Sequence, residues 1–215
     1  MSTAVPPVGV TFASPYPAAL DARLDEQLSR WKWLVKWILA IPHYVVLAFL
    51  WIAFVLVTIG AFFAILFTGR YPRGMFDFNL GVLRWTWRVA YYSTTGLGTD
   101  RYPPFSLGAE PDYPAALDVE YPDELSRWKP LVKWAFAIPQ LAVVGLFMGG
   151  WHVNALWSPG LVGILTLVGV VLYAFRRVYP EEIFRFVIGM VRWAFRVGAY
   201  VALMRDEYPP FRLEP

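Results

Sequence analysis

The stretch LSRWKWLVKWILAIP, residues 28–42, returns as LSRWKPLVKWAFAIP at 125–139. Ser29, Arg30, Trp31, Lys32, Lys36, Trp37 and Pro42 recur as Ser126, Arg127, Trp128, Lys129, Lys133, Trp134 and Pro139. Working outward, YPAALD at 16–21 recurs at 113–118, and Tyr71-Pro72 answers to Tyr179-Pro180. FDFNLGVLRWTWRVAYY (76–92) answers to FRFVIGMVRWAFRVGAY (184–200), and both halves close on Tyr-Pro-Pro-Phe, at 102–105 and 208–211. The chain is a tandem duplication: an N-terminal tail (1–15), a first membrane repeat (16–107), a linker (108–112) and a second membrane repeat (113–215). A period this long means two copies of one folding unit rather than a solenoid.

Composition supplies the solvent. Hydrophobic residues make up 58% of the 215 residues and charged residues 16%, against about 45–50% and about 25% in ordinary globular chains. That much apolar surface would leave a soluble protein of this size with a greasy exterior. Between Lys36 and Arg70 lie 33 residues without a charged side chain, and between Lys133 and Arg176 lie 42. Uncharged apolar runs of this length read as membrane segments. Residues 1–15 lack a basic n-region, so no secretory signal is expected. The absence of cysteine removes disulfides and thiolate metal sites. The net charge of +3 does not point to nucleic acid, because the basic residues flank apolar runs or sit among Trp and Phe, as cations do at membrane interfaces.

The strings LSRWKWLVKWILAIPH, LFTGRYPRGMFDFNLGVLRWTWRV and YPPFSL resemble a family of bacterial integral-membrane proteins catalogued only as a domain of unknown function, whose long members are duplicated in the same way. The resemblance covers nearly the whole chain. It implies a membrane location and no activity. The second unit departs from the pattern, with RRVYPEEIFRFV in place of GRYPRGMFDFN.

Each unit starts with an acidic, proline-marked lead-in, YPAALDARLDEQ or YPAALDVEYPDE, read as the approach to a helix start at Pro122-Asp123-Glu124. The next helix carries Lys32 and Lys36, or Lys129 and Lys133, beside Trp31 and Trp37, or Trp128 and Trp134. Lysines and tryptophans at one end of an apolar run describe an interfacial anchor. Pro130 is expected to delay the second copy by about a turn. GGWHVNALWSPG (149–160) reads as a loop between helices 134–148 and 161–176. The expected fold is an all-α membrane protein in which each unit is an interfacial amphipathic start, a transmembrane helical hairpin and a second, Arg-bearing amphipathic helix. Basic flanks at both ends of each hairpin place both termini on the cytoplasmic side, and an even number of crossings makes the units parallel.

The last helix of each unit carries arginines at i, i+4: Arg84 and Arg88, then Arg192 and Arg196. Two such residues in one lipid-surrounded crossing are costly, so these helices are expected to lie in the cytoplasmic interface, with the four arginines as contacts for anionic lipid or an anion. The alternative reading makes each a third crossing with its arginines facing a protein interior, which gives six crossings and inverted repeats. No hydrolase, Walker, dinucleotide or zinc-protease motif is present. His43 and His152 have no metal-ligand spacing. No cofactor and no catalysis is expected. The expected function is a scaffold or accessory subunit in the bacterial inner membrane, with membrane lipids and another membrane protein or a second copy as partners. The competing expectation is a channel or transporter using the arginine stripes as an anion path.

Overall fold

The computed structural model describes residues 16–25, 28–29, 31–95, 97–149, 160–176 and 179–214. The expectations for the tail 1–15 and for His152 lie outside the described residues. Strand β1 (Ala18–Ala22) leads into helices α1 (Trp33–Leu39), α2 (Ile41–Thr68) and α3 (Arg73–Ser93). Strand β2 (Ala115–Val119) leads into α4 (Lys129–Met148), α5 (Gly160–Arg176) and α6 (Glu181–Val201). The protein is mostly helical, with one strand pair that the all-α expectation did not contain.

The lead-ins, expected as helix approaches, form that pair. YPAALD has only two residues that fix local structure, and its backbone groups find partners across the duplication. β1 and β2 run antiparallel with Leu20 opposite Leu117. Leu20 and Leu117 occupy the same place in their units, so a pseudo-two-fold axis passes between them. Trp87 and Phe195 are also counterparts, and their rings meet with centroids 5.8 Å apart. These two self-paired contacts mark the axis. The lead-ins are exchanged across it: β2 packs on α3 of the first unit, and β1 on α6 of the second.

Three expectations are corrected. First, the apolar run of the first unit is one helix. Pro42 separates α1 from α2 at Ala40, and α2 then continues unbroken for 28 residues, about 42 Å at 1.5 Å per residue. The second unit is a broken helix rather than a hairpin. Gln140 takes the place of His43, and Thr166 that of Thr58, so Met148 and Gly160 stand where Trp51 and Ile52 are consecutive in α2. The ends abut: a methyl group built at Gly160 would strike the Gly149 nitrogen and the Phe147 carbonyl. Lys133 of α4 reaches Arg205 beyond the C-terminus of α6, while Gly169 of α5 touches Tyr179 before its N-terminus. A hairpin would bring both to one end. Pro130 does not delay α4, which starts at Lys129 with the proline in its first turn, where no N–H is needed.

Second, the units are inverted. The Gly69 carbonyl at the end of α2 accepts a hydrogen bond from Leu125 N–H, and Phe62 stacks on Trp134 at 5.5 Å. Reciprocally, Tyr173 near the end of α5 donates to the Leu28 carbonyl. The start of each long helix therefore lies beside the end of the other, and Lys36 and Lys133 sit at opposite ends of the molecule. One long helix per unit, rather than two crossings, produces this inversion.

Third, α3 and α6 are interior helices. More than half of each is buried, including Trp87, Val82, Val187 and Met190. They occupy a middle layer, with the strand pair on one side and α2, α4 and α5 on the other. Their arginines can be there because each has a backbone partner, described below.

The segment after Tyr-Pro-Pro-Phe crosses α3 and α6 at glycines. A Cβ on Gly81 would stand 2.8 Å from the Leu107 Cβ, and one on Gly189 2.9 Å from the Leu213 Cβ. Backbone approach this close excludes any larger residue. Gly81→Ala is therefore expected to lift the first arm and cost about 1–3 kcal/mol, read as a lower melting temperature in detergent and faster proteolysis at 101–108. Gly74→Ala, which meets nothing within 4 Å, is the control.

Candidate functional site

A clasp repeated in both units ties each C-terminal arm to its own helices. Lys36 is 2% exposed and pairs with Asp100 at 2.8 Å; Lys133 is 1% exposed and pairs with Asp206 at 2.7 Å. Each ammonium donates again to a backbone carbonyl, Lys36 to Thr99 and Lys133 to Arg205, and sits over a ring, Tyr92 at 5.5 Å or Tyr200 at 5.3 Å. Each carboxylate also accepts an N–H from the lead-in, Ser29 to Asp100 and Ser126 to Asp206. A third cation, Lys32 or Lys129, stands 3.7 Å away at the surface. Lys36 and Lys133 were expected as interfacial anchors; they are instead buried counter-ions. Trp31, Trp37, Trp128 and Trp134 remain exposed at the helix starts.

Burial pulls the Lys36 ammonium below its ordinary value, against the hydrogen bond and charge of Asp100. Burial would raise the Asp206 carboxyl, but the Lys133 hydrogen bond, the Ser126 N–H and the Lys129 charge outweigh it and hold it low. The sequence held a signal for both acids that was passed over: Asp100 and Asp206 each stand two residues before Tyr-Pro-Pro-Phe.

The four arginines close the interior. Arg84 donates to the Leu117 carbonyl and pairs with Asp118 at 2.6 Å; Arg192 donates to the Leu20 carbonyl and faces Asp21 at 3.9 Å. Each thus covers the outer edge of the strand brought by the other unit. Arg88 donates to the Ser106 and Gly108 carbonyls, and Arg196 to those of Arg212 and Glu214. These are counterpart positions in the two arms. Burial lowers the Arg88 guanidinium, and burial with Arg192 and Arg212 lowers Arg196 to about 10. The lipid contact expected of Arg88 and Arg196 does not fit their burial among carbonyls. The interfacial position was inferred from the cost of arginine in lipid, and it is the arms that remove that cost.

The arms rest on a second repeated contact. Trp85 donates to His43 Nδ1 at 3.0 Å, and Trp193 to Gln140 Oε1 at 2.7 Å. Gln140 passes a further bond to the Pro209 carbonyl, whereas His43 Nε2 has no partner and the ring stacks on Phe105 at 3.9 Å. His43 is therefore packing beneath an arm rather than a metal ligand, and among the described residues no His, Cys, Asp or Glu cluster could hold a metal ion. Beside Arg84 and Arg88 lies a cavity of about 380 Å³, also lined by Asp21, Arg23, Glu110 and Asp118. Its charges balance.

The family described as Domain of unknown function (DUF4389) matches residues 30–106 and 127–212. The chain belongs to this family. Each match begins at the lysine-bearing helix start and ends in the arm, so the family unit contains the Lys–Asp pair of the clasp but neither its serine nor the strand that pairs across the axis. No curated protein and no solved structure matches the chain.

Three outcomes test this site. Lys36→Met leaves Asp100 beside a missing cation and should cost about 3–5 kcal/mol, with the lower end favoured by the acid's residual solvent contact; adding Asp100→Leu should recover most of it. At the other clasp, Asp206 has a depressed folded-state pKa, so its contribution is complete at neutral pH and is lost as the pH falls below its ordinary value of 3.8. Acid titration of Asp206→Asn should lack that component. Separately, His43→Gln should supply the donor that Gln140 supplies and gain about 1 kcal/mol, measured as a higher melting temperature.

Proposed function

We propose that this chain is a non-catalytic membrane scaffold or accessory subunit of a larger membrane complex, seated in the bacterial inner membrane with both termini on the cytoplasmic side. One observation carries the reading. α2 is apolar around its whole circumference, yet only one stripe of it, His43, Leu47, Phe54, Ala61 and Ile65, is buried. A helix of that kind is a membrane helix. α2 and α4 are both long and apolar enough to span a bilayer. Cations that face outward near the ends of the long helices include Lys32, Lys129, Arg70 and Arg73. With Trp31 and Trp128 they supply a rim for anionic headgroups.

An anion path would need guanidiniums free to exchange partners, and Arg84, Arg88, Arg192 and Arg196 are held by the chain's own carbonyls and carboxylates. The geometry therefore favours a scaffold. Extraction of the protein with its surrounding native lipid should return a second membrane protein or a self-oligomer in fixed ratio, with acidic lipid enriched. A monomer carrying lipid of bulk composition, or an anion conductance in liposomes, rejects the proposal. Replacing Lys32, Lys129, Arg70 and Arg73 together by Gln should weaken binding to phosphatidylglycerol vesicles at least about tenfold, since each cation near an anionic surface contributes about 1 kcal/mol.

A further inference from the structure

We infer that the protein lies flat in one leaflet, with α2, α4 and α5 in the acyl layer and the strand pair in water. This rests on the membrane reading above and says how that membrane is met.

The argument begins with the axis. Phe62 lies beside Trp134, the counterpart of Trp37, so the pseudo-two-fold crosses α2 about midway between Trp37 and Phe62. That is near the middle of the apolar run. The same axis passes through the strand pair at Leu20 and Leu117. The strands are thus level with the middle of the long helices, on the far side of α3 and α6.

If the helices stood upright across a bilayer, that level would be the hydrocarbon midplane. The strand pair brings charge to it: Asp21 is 51% exposed and Asp118 34%, and Arg23 and Glu120 are exposed within a few residues. Charged side chains at the bilayer centre cost about 2.5–3.5 kcal/mol each on insertion scales. This exposed charge opposes the upright pose.

Laying the helices in the membrane plane removes this conflict. The outward faces of α2, α4 and α5 are uniformly apolar, with Phe49, Leu56, Phe67, Phe136, Leu146 and Phe175 all strongly exposed. They enter one leaflet as a layer about 42 Å long at 1.5 Å per residue. Lys32 and Trp31 at one end, and Lys129 and Trp128 at the other, meet headgroups around its rim. The charged strand face points to water, where its acids and Arg23 are solvated. Inversion of the units, which would put Lys36 and Lys133 on opposite membrane faces in the upright pose, becomes a symmetry within one surface.

The chain has no cysteine, so single-cysteine variants report cleanly. The protein is reconstituted into vesicles of phosphatidylethanolamine and phosphatidylglycerol, and flotation is scored first. Failure to float overturns the membrane reading itself. In floating protein, Lys32→Cys, Arg70→Cys and Glu120→Cys are treated with a membrane-impermeant maleimide in inner-membrane vesicles of one orientation. The expected result is labelling of all three from the same side. Lys32→Cys and Arg70→Cys labelling from opposite sides overturns the flat pose and leaves the membrane reading intact. Fluorophores at Phe49→Cys, Leu56→Cys and Phe67→Cys should show one common shallow depth by brominated-lipid quenching. A deep Leu56→Cys between shallow ends again means an upright helix, whose strand face a second protein would then have to cover.

Discussion

Each unit completes the other through its lead-in strand. β1 belongs to the first unit by sequence and to the second by packing, since it lies on α6 and its edge carbonyl is held by Arg192. β2 makes the reciprocal contact with α3 and Arg84. Five residues of antiparallel pairing would be marginal alone. Here both outer edges are closed by a guanidinium from a buried helix, which removes the open edge that otherwise invites foreign pairing. The exchange also sets the axis, and the axis dictates that the long helices run in opposite directions.

The buried charges follow from that arrangement. An arginine in a helix core is tolerated only if its donors are satisfied, and here the acceptors are main-chain carbonyls of the exchanged strands and of the two arms. Arms and arginines are mutually dependent: Gly81 and Gly189 let the arms approach closely enough for their carbonyls to reach Arg88 and Arg196. The lysine clasps fix the upstream end of each arm. What resembles a polar stripe suited to ligands is the internal fastening of a molecule whose apolar side faces outward.

The units have diverged where fastening allows. Asn79 donates to Thr58 and Tyr71 in the first unit, while Val187 stands there in the second and the Tyr179 hydroxyl has no hydrogen-bond partner. Gly169 replaces Ala61 and makes room for the Tyr179 ring, which a Cβ would strike. The ring is retained and its polar contact is not. Beside these differences and the helix break, the lysine clasp is repeated in both units and the two strands pair at matching residues.

By itself the sequence determined the duplication, the family, the apolar runs and the start of α3 and α6 after Tyr-Pro, because identity, hydropathy and proline geometry are local properties of the chain. It held the clasp acids as well, in the spacing of Asp100 and Asp206 from Tyr-Pro-Pro-Phe. Only the tertiary structure decided that the units are inverted, that the first apolar run is one helix, and that the arginines point inward. Charge at both ends of an apolar run is compatible with a hairpin or with one long helix; which one forms depends on the surface offered by α3 and α6. An arginine's cost in an apolar helix is set by whether a carbonyl lies within reach, and those carbonyls come from the arms and from the other unit's strand. Their approach is a long-range fact, absent from any single stretch of residues.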